Sequence, residues 1–281
     1  MNIHALYPNS VLVFDFETIP DCEGLRRLYI NERPEVQDWD DTKLAEMAFD
    51  EREAQTGQRF LPAHLQKIVA ISCVFRDQHQ LKVKSLGEPE DDESKIISLF
   101  IKTIEKYTPQ LVSWNGSGFD MPVLLQRALI NGLEAQRLLE WGETDKDFKY
   151  QNYLNRYHTR HLDLMDFLSL YQRGTRAPLD DIAKLCGLPG KMGMDGSQVW
   201  PAYQAGKIEE IRHYCETDVM NTYGVFVFFQ HLKGQISTEQ MYAELSLIYQ
   251  TTSTSSQTHW QQYTAGFSSP LLEKIGLNKL S

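Results

Sequence analysis

Two carboxylates, Asp15 and Glu17, stand two residues apart at the end of an apolar run, Val11 to Phe16 (VLVFDF). A run with that β-branched and aromatic content reads as a buried strand. Strand periodicity then turns both acids to one face. Two acids crowded there with no Lys or Arg beside them are costly unless a divalent cation lies between them. Oxygen-only sites of that kind suit Mg²⁺ or Mn²⁺. The Asp/Glu-x-Asp/Glu spacing means little by itself, because it recurs in polar runs such as Glu88 to Glu93 (EPEDDE). Asp15 and Glu17 differ in their place within a strand core, where unpaired carboxylates are least expected.

Two further motifs carry acids at element ends. In Asn115 to Asp120 (NGSGFD) the glycines let the backbone bend sharply or approach a ligand closely. Asp120 then opens a helix, where an acid is also favoured simply by the helix dipole. In Tyr214 to Asp218 (YCETD) a phenol and a carboxylate lie four apart on a long helix and share a face. With 13 tyrosines in the chain, that pair alone carries no weight. His161 to Leu164 (HLDL) adds Asp163, read either as an acid supporting the site from behind or as a structural one, beside a structural His161. Lys191 sits in a glycine-rich connection that fails the Gly-x4-Gly-Lys-Ser/Thr phosphate-loop pattern. A phosphate contact and a solvated surface lysine are both open for it.

The elements that must position these groups can be read in order. Lys67 to Arg76 and Gln80 to Ser85 read as a hairpin about the short turn at Asp77 to His79. Ile96 to Ile104 has helical spacing, Leu111 to Trp114 reads as a strand, and Phe119 to Asn131 as a helix stopped by Gly132. His161 to Leu164 is a short strand; Pro178 to Cys186, Ser197 to Ala205 and Ile208 to Leu232 read as helices. Residues 134–158 read as a loop with helical pieces. Three antiparallel strands followed by strands reached through helices predict an α/β mixed sheet flanked by helices. The expected organisation is one domain over 1–234 with a polar helical insertion near 19–65. A helical extension and a flexible C-terminal tail then occupy 235–281, the low-complexity run Thr251 to Thr258 (TTSTSSQT) included.

Composition narrows the class. The 281 residues are 42% hydrophobic and 11% aromatic, enough for a sizeable core and too apolar for wholesale disorder. No apolar run approaches the roughly 20 residues that span a bilayer. The N-terminus lacks the pattern of a signal peptide. Cys22, Cys73, Cys186 and Cys215 are far apart with no CxxC pair, so buried thiols of a cytoplasmic protein without membrane attachment are expected. The net charge of −10 excludes a general nucleic-acid-coating protein, though not an enzyme that gathers carboxylates around metal. Between Phe148 and Met194 the balance reverses: seven Lys/Arg against four Asp give a local +3, and Tyr150, Tyr153 and Tyr157 interleave with them. A single-strand track fits that segment, and so does a mixed surface over core tyrosines.

In combination, the motifs resemble the DEDDy group of 3′–5′ exonucleases, whose catalytic domain is ribonuclease H-like. More narrowly, the chain resembles the proofreading exonuclease domains of family-B DNA polymerases, and among their kin a stand-alone bacterial group of predicted exonucleases. The resemblance runs from Val11 to Phe229. It rests on DFET (Asp15 to Thr18), NGSGFD, HLDL, PGKMGMDGSQVW (Pro189 to Trp200) and YCETD, with no departure in the four acids or the tyrosine.

The resemblance implies a ribonuclease H-like fold and two divalent cations, Mg²⁺ or Mn²⁺, held by Asp15, Glu17, Asp120 and Asp218. Asp15, Glu17 and Asp218 would hold the ion that activates water; Asp15 would bridge to the second, and Asp120 would act mainly through water. Tyr214 would orient the attacking water, its free pKa of about 10 being too high for a general base. The implied reaction removes nucleoside 5′-monophosphates from the 3′ end of single-stranded nucleic acid, with DNA favoured. Thr18 and Asn115 would contact the terminal nucleotide, as Lys191 would contact phosphate. Phe119 would stack on that nucleotide or plug the core, with the core favoured. Two other classes are open: a metal-dependent phosphohydrolase of nucleotides, and a catalytically silent ribonuclease H-like nucleic-acid-binding module. Retention of the costly acidic cluster speaks against the second.

Overall fold

Val11–Pro20 forms the middle strand, β1, of a single five-stranded sheet, which is why it is apolar on both faces. The computed structural model of the protein describes residues 10–277. The other strands are β2 (Gln66–Arg76), β3 (Leu81–Ser85), β4 (Gln110–Ser113) and β5 (His161–Asp163), in the spatial order β3-β2-β1-β4-β5. The β1–β2 and β2–β3 pairs are antiparallel, whereas β1–β4 and β4–β5 are parallel. This is the mixed ribonuclease H-like sheet that the motif order predicts.

Alternation along β1 divides the core. Leu12, Phe14 and Phe16 point to one face, where they meet helices α3 (Glu93–Tyr107) and α4 (Asp120–Ile130) through Ile97, Phe100, Ile104 and Leu124. Val11 and Val13 point to the other face, against the long helix α8 (Ile208–Leu232). Asp15 and Glu17 continue the odd-numbered series, so period two delivers them towards α8. From Ile211 to Phe229 nearly every side chain of α8 is buried. The spacing of its apolar residues predicts an inward stripe; packing on both sides turns that stripe into full burial.

The insertion folds as α1 (Cys22–Tyr29), a 3₁₀ turn at Pro34–Asp38 and α2 (Asp41–Thr56) around a small core of its own, with Leu25, Val36 and Leu44 inside. It is tied to the body by Arg127 of α4, which donates to Glu93 and to Asp21, the residue capping α1. All three charged groups are buried. Arg127→Ala strands two carboxylates in the interior and is expected to cost about 3–5 kcal/mol in urea unfolding. An unchanged midpoint would show that this tie holds nothing.

Short helices α5 (Leu164–Leu168), α6 (Leu179–Leu185) and α7 (Val199–Gln204) lead into α8. Helix α5 stands where no element is predicted, started by the Asp163 carboxylate, which caps it by accepting from Asp166 N. Within 235–281 helical structure continues past the expected helical extension into the stretch expected as tail. Helix α9 (Thr238–Ser253) runs into the low-complexity stretch, and α10 (Thr258–Ala265) and α11 (Ser269–Lys274) follow. Trp260, Tyr263, Phe267 and Leu271, spaced three and four apart, are buried in the α8 core. That stripe outweighs the polar composition of TTSTSSQT. Residues 278–281, the end of the expected tail, lie outside the described residues. Among the described residues no helix is long and apolar enough to cross a membrane, and all four cysteines are unpaired.

Candidate active site

The odd face of β1 and the facing turn of α8 bring the acids together. Carboxylate oxygens of Asp15 and Glu17 and the Cys215 sulfur lie within 4.8 Å of one another. The β1–β2 register shifts between Glu17 and Thr18, leaving Val69 of β2 as the extra residue, so a bulge in β2 lies opposite the end of the acidic pair. Asp218, one turn beyond Tyr214, has a buried Oδ1 with no hydrogen-bond partner among the described residues. Asp120, at the start of α4, accepts from the backbone N–H of Phe16 (3.2 Å), the residue between Asp15 and Glu17. Cys215 donates to the Asp15 carbonyl (3.3 Å), fixing α8 against β1. Burial, aided by Asp15 and Glu17, holds its thiol well above the usual pKa.

The electrostatics are those of a site short of positive charge. Burial, then the charges of Asp120 and Asp218, raises Asp15 well above the ordinary carboxylate range. Burial raises Glu17 likewise, with Asp15 and Asp218 adding to it. Burial lifts Asp120 to about 7 and Asp218 to about 6. Lys191 is the cation that eases Asp15, Glu17 and Asp218. Its Nζ donates to the Tyr214 hydroxyl (2.7 Å) and stands 3.7 Å from Asp218 Oδ2. Buried Glu17 and Asp218, the latter with an orphaned oxygen, and half-buried Asp15 offer hard-oxygen donors of the kind that fit Mg²⁺ or Mn²⁺. Burial and the neighbouring carboxylates push the Tyr214 phenol far above its ordinary pKa, so it stays protonated.

Two loops are pinned around this cluster. Asn115 has a left-handed backbone (φ 67°), which asparagine tolerates. Asp163 accepts from Asn115 N (3.0 Å) and Ser117 N (2.9 Å) besides Asp166 N, so it locks the NGSG loop, and its charge adds to burial in raising the pKa of Asp120. A Cβ on Gly116 would collide with the Ser113 side chain, so the loop needs glycine there. Ser113 in turn bonds His161 Nε2 (2.8 Å), and burial lowers that imidazole to about 4: a neutral structural histidine, as its setting predicts. The Lys191 loop is clamped by Asn221, which accepts from Gly190 N and donates to Gly190 O. Asp180 receives Lys191 N at 2.7 Å.

Of the residues singled out in the sequence, Asp15, Glu17, Asn115, Lys191, Tyr214 and Asp218 line one open cleft of about 470 Å³. Asp120 does not: it is buried at the start of α4. Thr18 and Phe119 do not either. They line an adjoining cavity of about 640 Å³, which shares Phe16 and Glu17 with the cleft and adds Phe49, Phe60 and Trp200. Thr18 Oγ1 is engaged with Gln66 Oε1 (2.9 Å). Phe119 is half-buried: it packs on the core and also meets the exposed ring of Phe60 at 5.3 Å. Sequence reasoning missed Phe60, Phe49, Cys215 and Asn221. A phenylalanine just before Pro62 in an otherwise polar insertion was the available signal for the first.

Fold and cleft together define the class: a ribonuclease H-like protein with a carboxylate cluster at its central strand. The sequence over residues 58–267 matches the family described as predicted 3′-5′ exonuclease related to the exonuclease domain of PolB, and the chain belongs to that family. The match contains every motif from Asn115 to Asp218, whereas Asp15 and Glu17 precede it. No protein of curated function matches the sequence. Among solved structures, the family B DNA polymerase from the hyperthermophilic archaeon Pyrobaculum calidifontis is similar over 86% of this chain, at 15% identity and a TM-score of 0.49. The chain spans 29% of the length of that polymerase.

Proposed function

We propose that the protein is a two-metal, DEDDy-type 3′–5′ exonuclease acting on single-stranded DNA. The observation that carries the reading is the set of half-buried Asp15 with buried Glu17 and Asp218, short of cations, with Asp218 Oδ1 unpartnered among the described residues, opposite a protonated Tyr214 in one cleft. Family membership supports the same reaction. Asp15, Glu17 and Asp218 would hold the ions, with Asp120 behind them. Bound divalent ions supply the charge that polarises water and offsets charge on the attacking and leaving oxygens of an in-line displacement.

The chain's own groups do the rest. The Tyr214 hydroxyl, unable to act as a base, holds a water by hydrogen bonding in the line of attack. The Lys191 ammonium, 2.7 Å from that hydroxyl, offers charge-assisted donation to a non-bridging phosphate oxygen. Asn115, set by Asp163, orients the sugar-phosphate at the cleft rim. The aromatic cavity beside Glu17 accepts the 3′-terminal base against Phe119, excluding water around it. The C-terminal helices belong to the same working unit. Tyr263 donates to Asn221 Oδ1 (3.2 Å) and Ser268 N to Gly187 O (3.0 Å), bracing the Lys191 loop from behind.

5′-labelled single-stranded DNA with Mg²⁺ or Mn²⁺ tests this directly, and a ladder shortened from the 3′ end is expected. Tyr214→Phe keeps the ring and removes one hydrogen bond, so kcat should fall by about 10- to 100-fold with KM little changed. No shortened product with either metal would overturn the reading.

A further inference from the structure

Past Asn115 the carboxylate cleft continues into a second cavity, of about 670 Å³. Asn115 and Arg176 line both spaces, and Arg156, Arg173, Asp166 and Tyr171 complete the polar wall of the second. Three guanidiniums there face one carboxylate. Asp166 is buried and accepts from Arg156 Nη2 and Arg176 Nη2, each at 2.5 Å, which fixes both arginines in place. Among the described residues Arg176 Nε is buried without a partner, and Arg173 is exposed with no ion pair. His161, on the same wall, is neutral and adds no charge.

The rim is aromatic. Tyr171 meets Tyr157 edge-on at 4.9 Å, and the Arg156 guanidinium lies 5.2 Å from the Tyr171 ring centre. Leu170 and Tyr171 both have left-handed backbone (φ 50° and 62°), rare for such residues, and it is this conformation that carries the Tyr171 ring.

A cavity with surplus guanidinium and an aromatic rim suits phosphate carried on planar bases. The chemistry of a 3′ end then assigns direction. The terminal nucleotide has one phosphodiester, the scissile one, and otherwise ends in a hydroxyl; every other phosphate lies to its 5′ side. A cation-rich cavity therefore belongs to the 5′ side, and the apolar cavity on the opposite flank to the terminal base. We infer that the arginine cavity binds the phosphodiesters of single-stranded DNA immediately 5′ of the scissile bond. The strand thus runs 5′ to 3′ from Arg173, across the carboxylates, towards Phe60.

The inference rests on the exonuclease reading, and its test separates the two. Oligonucleotides carrying a single neutral methylphosphonate at each of the three linkages 5′ of the scissile bond are assayed with Mg²⁺, with wild type and with Arg173→Ala. One of these linkages should raise the wild-type KM by roughly tenfold, the loss of one charge-assisted contact. Arg173→Ala should raise KM on unmodified DNA by a similar factor. It should show no further loss at that linkage, and its salt dependence should flatten by a log–log slope of about 0.7. Cleavage indifferent to all three linkages, or losses that simply multiply, would overturn the cavity assignment while leaving the exonuclease intact. Absence of cleavage on unmodified DNA overturns both. Because the change is made in the substrate, misfolding of a variant cannot mimic the expected result.

Discussion

Asp15→Asn is expected to lower exonuclease turnover by about 10³-fold or more and, in the same protein, to raise the thermal midpoint of the metal-free form at pH 8. The first effect follows from its place among the proposed metal ligands, where one charged oxygen supports several kcal/mol of transition-state stabilisation. The second follows from the strain on that carboxylate. Burial and the charges of Asp120 and Asp218 raise its pKa well above the ordinary value, so its ionised form is less favourable folded than unfolded. Asparagine keeps the shape, removes the charge and relieves Glu17 next to it. For a chain of this size each kcal/mol regained should appear as roughly 2–4 °C in the midpoint. A structural acid gives the opposite sign, because its loss leaves donors unpaired. Scanning fluorimetry in EDTA beside the nuclease ladder measures both. A fall in both midpoint and activity would recast Asp15 as a fold-stabilising residue.

What could be read from the chain beforehand depended on how far apart the cooperating residues lie. Asp15 and Glu17 are legible because period two acts over three residues, and Tyr214 and Asp218 because one helical turn does. The sheet order follows from strands that are close in sequence or joined by a helix. The flanks of the cleft are another matter. Phe60 and Trp200 meet the same cavity from segments 140 residues apart, and neither stretch carries a periodic signal that would pair them. Asp163 gives no hint that three backbone N–H groups will saturate it, since that depends on the left-handed turn at Asn115. The C-terminal helices were legible in principle. The Trp260–Leu271 stripe is regular, but the run of Ser and Thr in front of it has the composition of a loose tail. Lys191 carries two open roles in the sequence because Asn221, Asp180 and Tyr263, which hold its loop, are scattered between 11 and 72 residues away.

The stabilisation given by a fixed concentration of Mn²⁺ is expected to be small at pH 5 and to grow steeply by pH 8. In the metal-free protein Asp120 titrates near 7 and Asp218 near 6, with Asp15 and Glu17 also raised, whereas unfolded carboxylates titrate near about 4. Between those limits the folded state binds more protons than the unfolded one. Its stability is therefore fully present below about pH 4 for these groups and is lost as pH rises towards 7. A cation must displace the same protons, so its affinity climbs over the same window and adds back what ionisation removes. Midpoints measured with EDTA and with Mn²⁺ should diverge as pH rises; parallel curves would mean that these carboxylates do not hold the ion. Lys191→Met probes the sign from the other side. Its ammonium eases Asp15, Glu17 and Asp218 when no metal is bound, so its removal should lower the EDTA midpoint most at pH 8 and widen the gap that Mn²⁺ closes. A lysine that merely decorated the surface would leave both curves where they were.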